Sequence, residues 1–199
     1  MRPVNKKIIL ALSAAAIAFP IGIGMAVTTN VNATATFLAA LILTPSNMQF
    51  GKIIYSADPS VAGDFVKIGT NGAELFGGVF SSSGGTVTAG DVAITGTYGY
   101  QIDVQCDATA IMSNGAGKVI NITAIEVKKE STAGAFGTGT ACAGIGSTVL
   151  SWNLTSGTDD QLKVGGQITG VGASSPFAGG AYSTASAGGN DIQINIVYN

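Results

Sequence analysis

Histidine is absent from all 199 residues, which removes the Ser-His-Asp and Cys-His arrangements and the histidine general base. Arginine occurs once, at Arg2, and charged residues make up 10% of the chain against the roughly 25% usual for a soluble domain. With lysine as the only other source of positive charge, the chain lacks the clustered basic surface that nucleic acid binding requires. Cysteine occurs twice, at Cys106 and Cys142, and without histidine two thiols cannot complete a structural metal site. The expectation is a protein with no metal, no cofactor and no enzymatic activity. Two features could argue otherwise. Asp159-Asp160, in "SGTDDQL", reads as a turn entering a strand rather than an acid–base pair. The glycine pairs Gly77-Gly78 and Gly165-Gly166 are not phosphate loops, because no strand-to-helix transition accompanies them.

What is present begins with a secretory signal. Arg2, Lys6 and Lys7 form a basic start, "IILALSAAAIAF" is an apolar run, and "GMA" after Pro20 offers the small residues a signal peptidase reads. Cleavage is expected between Ala26 and Val27, giving residues 1–26 as the signal peptide. The alternative is an uncleaved anchor over Ile8 to Val27, against which Pro20 and the small-residue exit weigh. The mature chain then keeps six lysines against eleven acidic residues, a net charge of −5. It is expected to be exported through the inner membrane, touching the membrane only through its signal. In that setting disulfides persist, and Cys106 and Cys142 are expected to form one intramolecular bridge, with two buried free thiols as the alternative.

Beyond the signal the chain is punctuated by glycine and alternates at period two. Strands are expected in "MQFGKIIY", "DFVKIG", "AELFGGVF", "TVTAGDVAITG", "YGYQIDVQC", "KVINITAIEVK", "STVLSWNL", "DQLKVGGQITGVG" and "DIQINIVYN". In "KVINITAIEVK" the apolar set Val119, Ile122, Ile125 and Val127 departs from strict alternation, so a bulge or mixed burial is expected there. Residues 81–85 and 131–147 read as loops, the second anchored at Cys142. "NIT" and "NLT", at Asn121 and Asn153, match a glycosylation acceptor pattern but fall inside expected strands. Trp152 and Tyr100 fit sheet-face packing better than a sugar-binding surface. Short strands with turns every 8–12 residues indicate an all-β antiparallel sandwich or barrel.

Both ends carry unpartnered alternation. Val31, Ala33, Ala35, Phe37, Ala39, Leu41 and Leu43 share one face of a long expected strand that Pro45 ends. Ile192, Ile194, Ile196 and Tyr198 share one face of a last strand, opposite Gln193 and Asn195. The order "NATATFLAALILTP", "MQFGKI", "DVAITGTYGYQIDV", "LKVGGQITG", "AGGAY…IQINIVYN" resembles the bacterial secreted family called domain of unknown function 4402. The positions that carry the resemblance are Phe50-Gly51, Thr95-Gly96, Tyr100, Val164 to Gly166 and Tyr198. One departure stands out: Ser186 occupies the place where better-known pilins carry a glycine, with Gly188-Gly189 nearby.

That resemblance implies a pilin-like, immunoglobulin-like β-sandwich over residues 46–199, preceded by a donor-strand extension over residues 27–45. It implies a fimbrial subunit assembled by donor-strand complementation, in which each copy fills the groove of another copy or a related pilin. A periplasmic chaperone and an outer-membrane usher would be its partners, and the cell surface or the extracellular space its destination. The alternative is a self-complete monomeric binding module, secreted or held at the cell surface, whose own N-terminal strand fills its groove. A tip adhesin for cell adhesion is a lesser variant, because the chain has room for one domain.

Overall fold

Alternation and glycine placement decide where each strand starts and stops. The computed structural model describes residues 34–155, 160–170, 173 and 177–199. Its strands in chain order are β1 (Ile42–Ser46), β2 (Gln49–Phe50), β3 (Ile53–Tyr55), β4 (Phe65–Ile68), β5 (Glu74–Gly77), β6 (Phe80–Ser82), β7 (Val87–Thr88) and β8 (Gly90–Thr95). They continue with β9 (Gln101–Cys106), β10 (Ala110–Ser113), β11 (Val119–Lys129), β12 (Thr140–Ala141), β13 (Leu150–Asn153), β14 (Asp160–Thr169) and β15 (Ile194–Tyr198). Two of the expected strands are cut in half by glycine. Gly51 (φ 69°) separates β2 from β3, and Gly78 (φ 64°) separates β5 from β6, each in a conformation that a side chain disfavours.

The strands form the antiparallel sandwich expected from the sequence. One sheet runs β1-β8-β14-β11-β10, with β4 and β5 continuing beside β14 and β12 beside β11. The facing sheet runs β13-β9-β15, and two small ribbons, β2-β7 and β3-β6, complete the fold. Every pairing is antiparallel. The core is filled from both layers: Ile102, Val104 and Cys106 of β9 are fully buried against Val66, Ile68, Ile125, Val127 and Leu162 of the larger sheet.

β11 carries the expected bulge. Its register with β14 shifts between Thr123 and Glu126, and Ala124 takes a positive φ of 47°. The extra residue reverses the parity of the strand, so that Ile120 and Ile122 before it and Ile125 and Val127 after it all enter the core. Val119, grouped with these residues by the sequence, is only half-buried, because the inward set starts at Ile120.

Two side-chain ties join the layers. Cys106 and Cys142 are disulfide-bonded with their Cα atoms 5.2 Å apart, linking the end of β9 to the residue after β12. The Asp160 carboxylate, at the start of β14, accepts from the Trp152 indole N–H of β13 at 3.0 Å and from the Thr155 N–H at 2.6 Å. It also pairs with Lys129 at 2.9 Å. Burial pulls the Asp160 pKa upward, but the Lys129 hydrogen bond, the Thr155 N–H and the Trp152 donor together hold it below the ordinary carboxylate value. Trp152 is therefore a packing residue that binds the two layers together. Asp159 lies outside the described residues.

Asp64 is likewise lowered. The N–H groups of Ser60 and Val61 act most strongly, burial opposes them, and the Val79 N–H adds a third donor. A carboxylate whose folded pKa is depressed contributes stability that is complete above its unfolded value of about 3.9 and is lost as pH falls through the folded value. The unfolding midpoint should thus stay level from neutral pH to about 5 and decline below about 4. Asp160→Asn should cost about 2 kcal/mol at neutral pH and flatten the acid decline, measured by thermal unfolding across pH.

Candidate functional site

The N-terminal candidates divide. Val31, Ala33 and the proposed cleavage pair Ala26 and Val27 lie outside the described residues. The chain separates into two compact units, Met1–Phe37 and Leu38–Asn199. In the first, Ala35 and Phe37 are exposed and belong to no strand. In the second, Ala39, Leu41 and Leu43 are part of the sandwich. β1 pairs with β8 from Ile42↔Thr95 to Ser46↔Asp91, which places Leu43 beside Ile94. The sequence reading ended the strand at Pro45, yet Pro45 pairs with Val92 inside β1. β1 is the edge strand of its sheet, where a missing N–H leaves no ladder partner stranded.

A three-residue latch fixes Ala39 to the sandwich. The Ala39 N–H donates to Thr97 Oγ1 at 2.6 Å, and the Tyr198 hydroxyl donates to the Ala39 carbonyl at 2.9 Å. The same hydroxyl accepts from the Thr97 N–H at 2.5 Å. Gly96 makes this approach possible: a Cβ there would sit 2.4 Å from the Tyr198 hydroxyl and 2.7 Å from Leu41.

At the other end of the chain, β15 pairs with β9 from Ile194↔Cys106 to Tyr198↔Ile102. The Asp107 N–H donates to the Gln193 carbonyl and the Asn199 N–H to the Gln101 carbonyl, so residues 193, 195, 197 and 199 turn their main-chain groups toward β9. Ile194, Ile196 and Tyr198 therefore turn theirs the other way, and among the described residues no strand pairs with that side. Their side chains point inward: Ile196 is buried, and Ile194, Tyr198 and nearby Ile192 are half-buried. Val197 is 40% exposed on the outer face, so the one apolar residue among the outward positions does not enter the core.

Beside this free edge lies a cleft of about 550 Å³. Val92, Ile122, Val164 and Met112, inward residues of β8, β11, β14 and β10, form its floor. Residues 45–50, residues 182–185, Gly90, Asp91 and Asp191 with Ile192 and Ile194 complete the lining, which is polar and apolar in about equal measure. An unpaired strand edge beside a trough with an apolar floor and partly polar walls can take an extended segment: the edge supplies a ladder, and the floor takes alternate side chains. A second, polar cleft of about 940 Å³ includes Thr70, Asn71, Asp91 and Glu130, with Lys163 bridging Asp91 at 3.1 Å and Glu130 at 3.3 Å. Among the described residues no group of three or more Asp, Glu, His or Cys could hold a metal ion.

Sequence reasoning found the inward face of β15 but not the cleft floor or the latch. Met112 lies in β10, whose four residues are too short to show a period, and Thr97 is distinguished only by its place after Gly96. A protein-family model described as a domain of unknown function (DUF4402) matches residues 41–198. No curated protein and no solved structure matches the chain.

Proposed function

The chain belongs to the DUF4402 family, and from that premise we propose that it is a structural subunit of a bacterial surface fibre. The observation that supports this most is the unpaired edge of β15 beside a cleft with an apolar floor. A long strand edge left open would be an aggregation hazard, so something outside the domain must cover it. The proposed cover is the N-terminal extension of another copy, which presents Val31, Ala33, Ala35 and Phe37 at alternate positions. Leu41 and Leu43 are already part of their own sandwich, so the segment to be donated is residues 27–38. The protein is exported by its signal peptide, guarded in the periplasm by a chaperone that covers the same edge, and passed through an outer-membrane usher to the cell surface. It acts by assembly, not by catalysis.

One observation favours a second reading, the self-complete monomer: Ala39 and β1 already lie against their own domain. Size measurement of mature protein from the periplasm separates the two. A fibre subunit gives a ladder of heat-resistant multimers. A protein monomeric at every concentration refutes the fibre.

A further inference from the structure

The latch determines how close two joined copies must be. Of the alternating face, Phe37 is the last residue before Ala39, and Ala39 is held on both its N–H and its carbonyl. Leu38 alone separates the two. Two residues of extended chain reach about 7 Å. A receiver that takes Phe37 into its groove must therefore bring the mouth of that groove against the β8–β9 turn of the donor, because there is no slack to hold it away.

That turn suits a second protein surface. Tyr98 is 70% exposed and Tyr100 38% exposed, and Leu38, next in sequence to the latched Ala39, is 38% exposed. The Tyr100 ring meets the Tyr198 ring edge-on at 6.4 Å, so the patch is continuous with the end of β15. No charged residue occurs from Val92 to Ile102 or from Val27 to Asn47. Two acidic copies of the mature chain can meet there without opposing like charges. We infer that Tyr98 and Tyr100 form a body-to-body contact with the receiving copy of this chain, in addition to the donated strand. The inference rests on the donor-strand reading and adds a second interface to it.

The test is Tyr98→Ser in the mature full-length protein, with three measurements. A labelled peptide of residues 27–38 reports on the groove alone, since it carries no body. Its affinity for dilute monomer should be unchanged within about twofold, as should the thermal midpoint of that monomer, because Tyr98 is exposed. The multimers should dissociate roughly tenfold faster, as expected when a tyrosine anchor is removed from an interface. Peptide binding with unchanged multimer dissociation overturns the second interface and leaves the donated strand standing. A peptide that does not bind wild-type monomer overturns the donor-strand reading, and this inference falls with it.

Discussion

Removing residues 27–38 is expected to leave a folded protein of monomeric size that forms no multimers. The deletion keeps the latch at Ala39, Leu41 and the whole of β1. What is lost is the strand another copy would receive. Adding the segment back as a peptide should raise the unfolding temperature of the truncated protein. Burying Phe37 alone is worth roughly 1.5–3 kcal/mol. At a hundredfold excess over its dissociation constant the peptide stabilises by about 2.7 kcal/mol. For a domain of this size that is a rise of about 5–10 °C. A peptide with Phe37→Asp should give no rise. Equal multimer ladders from full-length and truncated protein would sink the proposal.

The second large effect separates the two roles of β15. Ile196 is 6% exposed between the sheets, so Ile196→Asp buries an unpaired charge and should cost about 3–5 kcal/mol. Ile194 is half-buried and lines the cleft, so Ile194→Asp should lower the midpoint of the monomer less while abolishing peptide binding and assembly. Thermal unfolding and peptide titration of the two variants give the comparison. Matching losses of stability in both would mean that the cleft is a packed interior rather than a docking groove.

The strands were readable wherever one face is buried, because alternation then shows directly. β9 is the clearest case, with Ile102, Val104 and Cys106 inward and Gln101, Asp103 and Gln105 outward. The same signal marked the inner face of β15, and an even cysteine count, in a chain expected to be exported, pointed to the Cys106–Cys142 bond. Other features were not readable from the sequence for physical reasons. β10 and β12 are too short to repeat a pattern, and β12 lay within an expected loop. Pro45 read as a terminator because its tolerance depends on being at an edge, which is a property of the sheet rather than of the strand. The boundary of the extension was equally hidden. "FLAALILTP" is apolar at almost every position, so no change in composition marks where the exposed Phe37 gives way to the docked Leu41 and β1. The groove floor draws Val92, Met112, Ile122 and Val164 from four strands, and nothing local in the chain says that they meet.

In a fibre built by the proposed route, pulling on its ends would load each subunit at two places: along β15, where a neighbour's strand is held, and at Ala39, where its own strand leaves. Tyr198 belongs to the first and is hydrogen-bonded to the second. Tension would therefore cross the subunit at one pole over a few ångströms, leaving most of the interior off its path. What strain does enter β15 passes to β9 through the hydrogen-bonded pairs Gln193–Asp107 and Asn195–Gln105, which flank Cys106, the residue that carries the disulfide to the opposite sheet. A strand drawn along its axis there pulls against a covalent bond, so reduction of the bond should weaken the fibre under tension more than it weakens the resting fold.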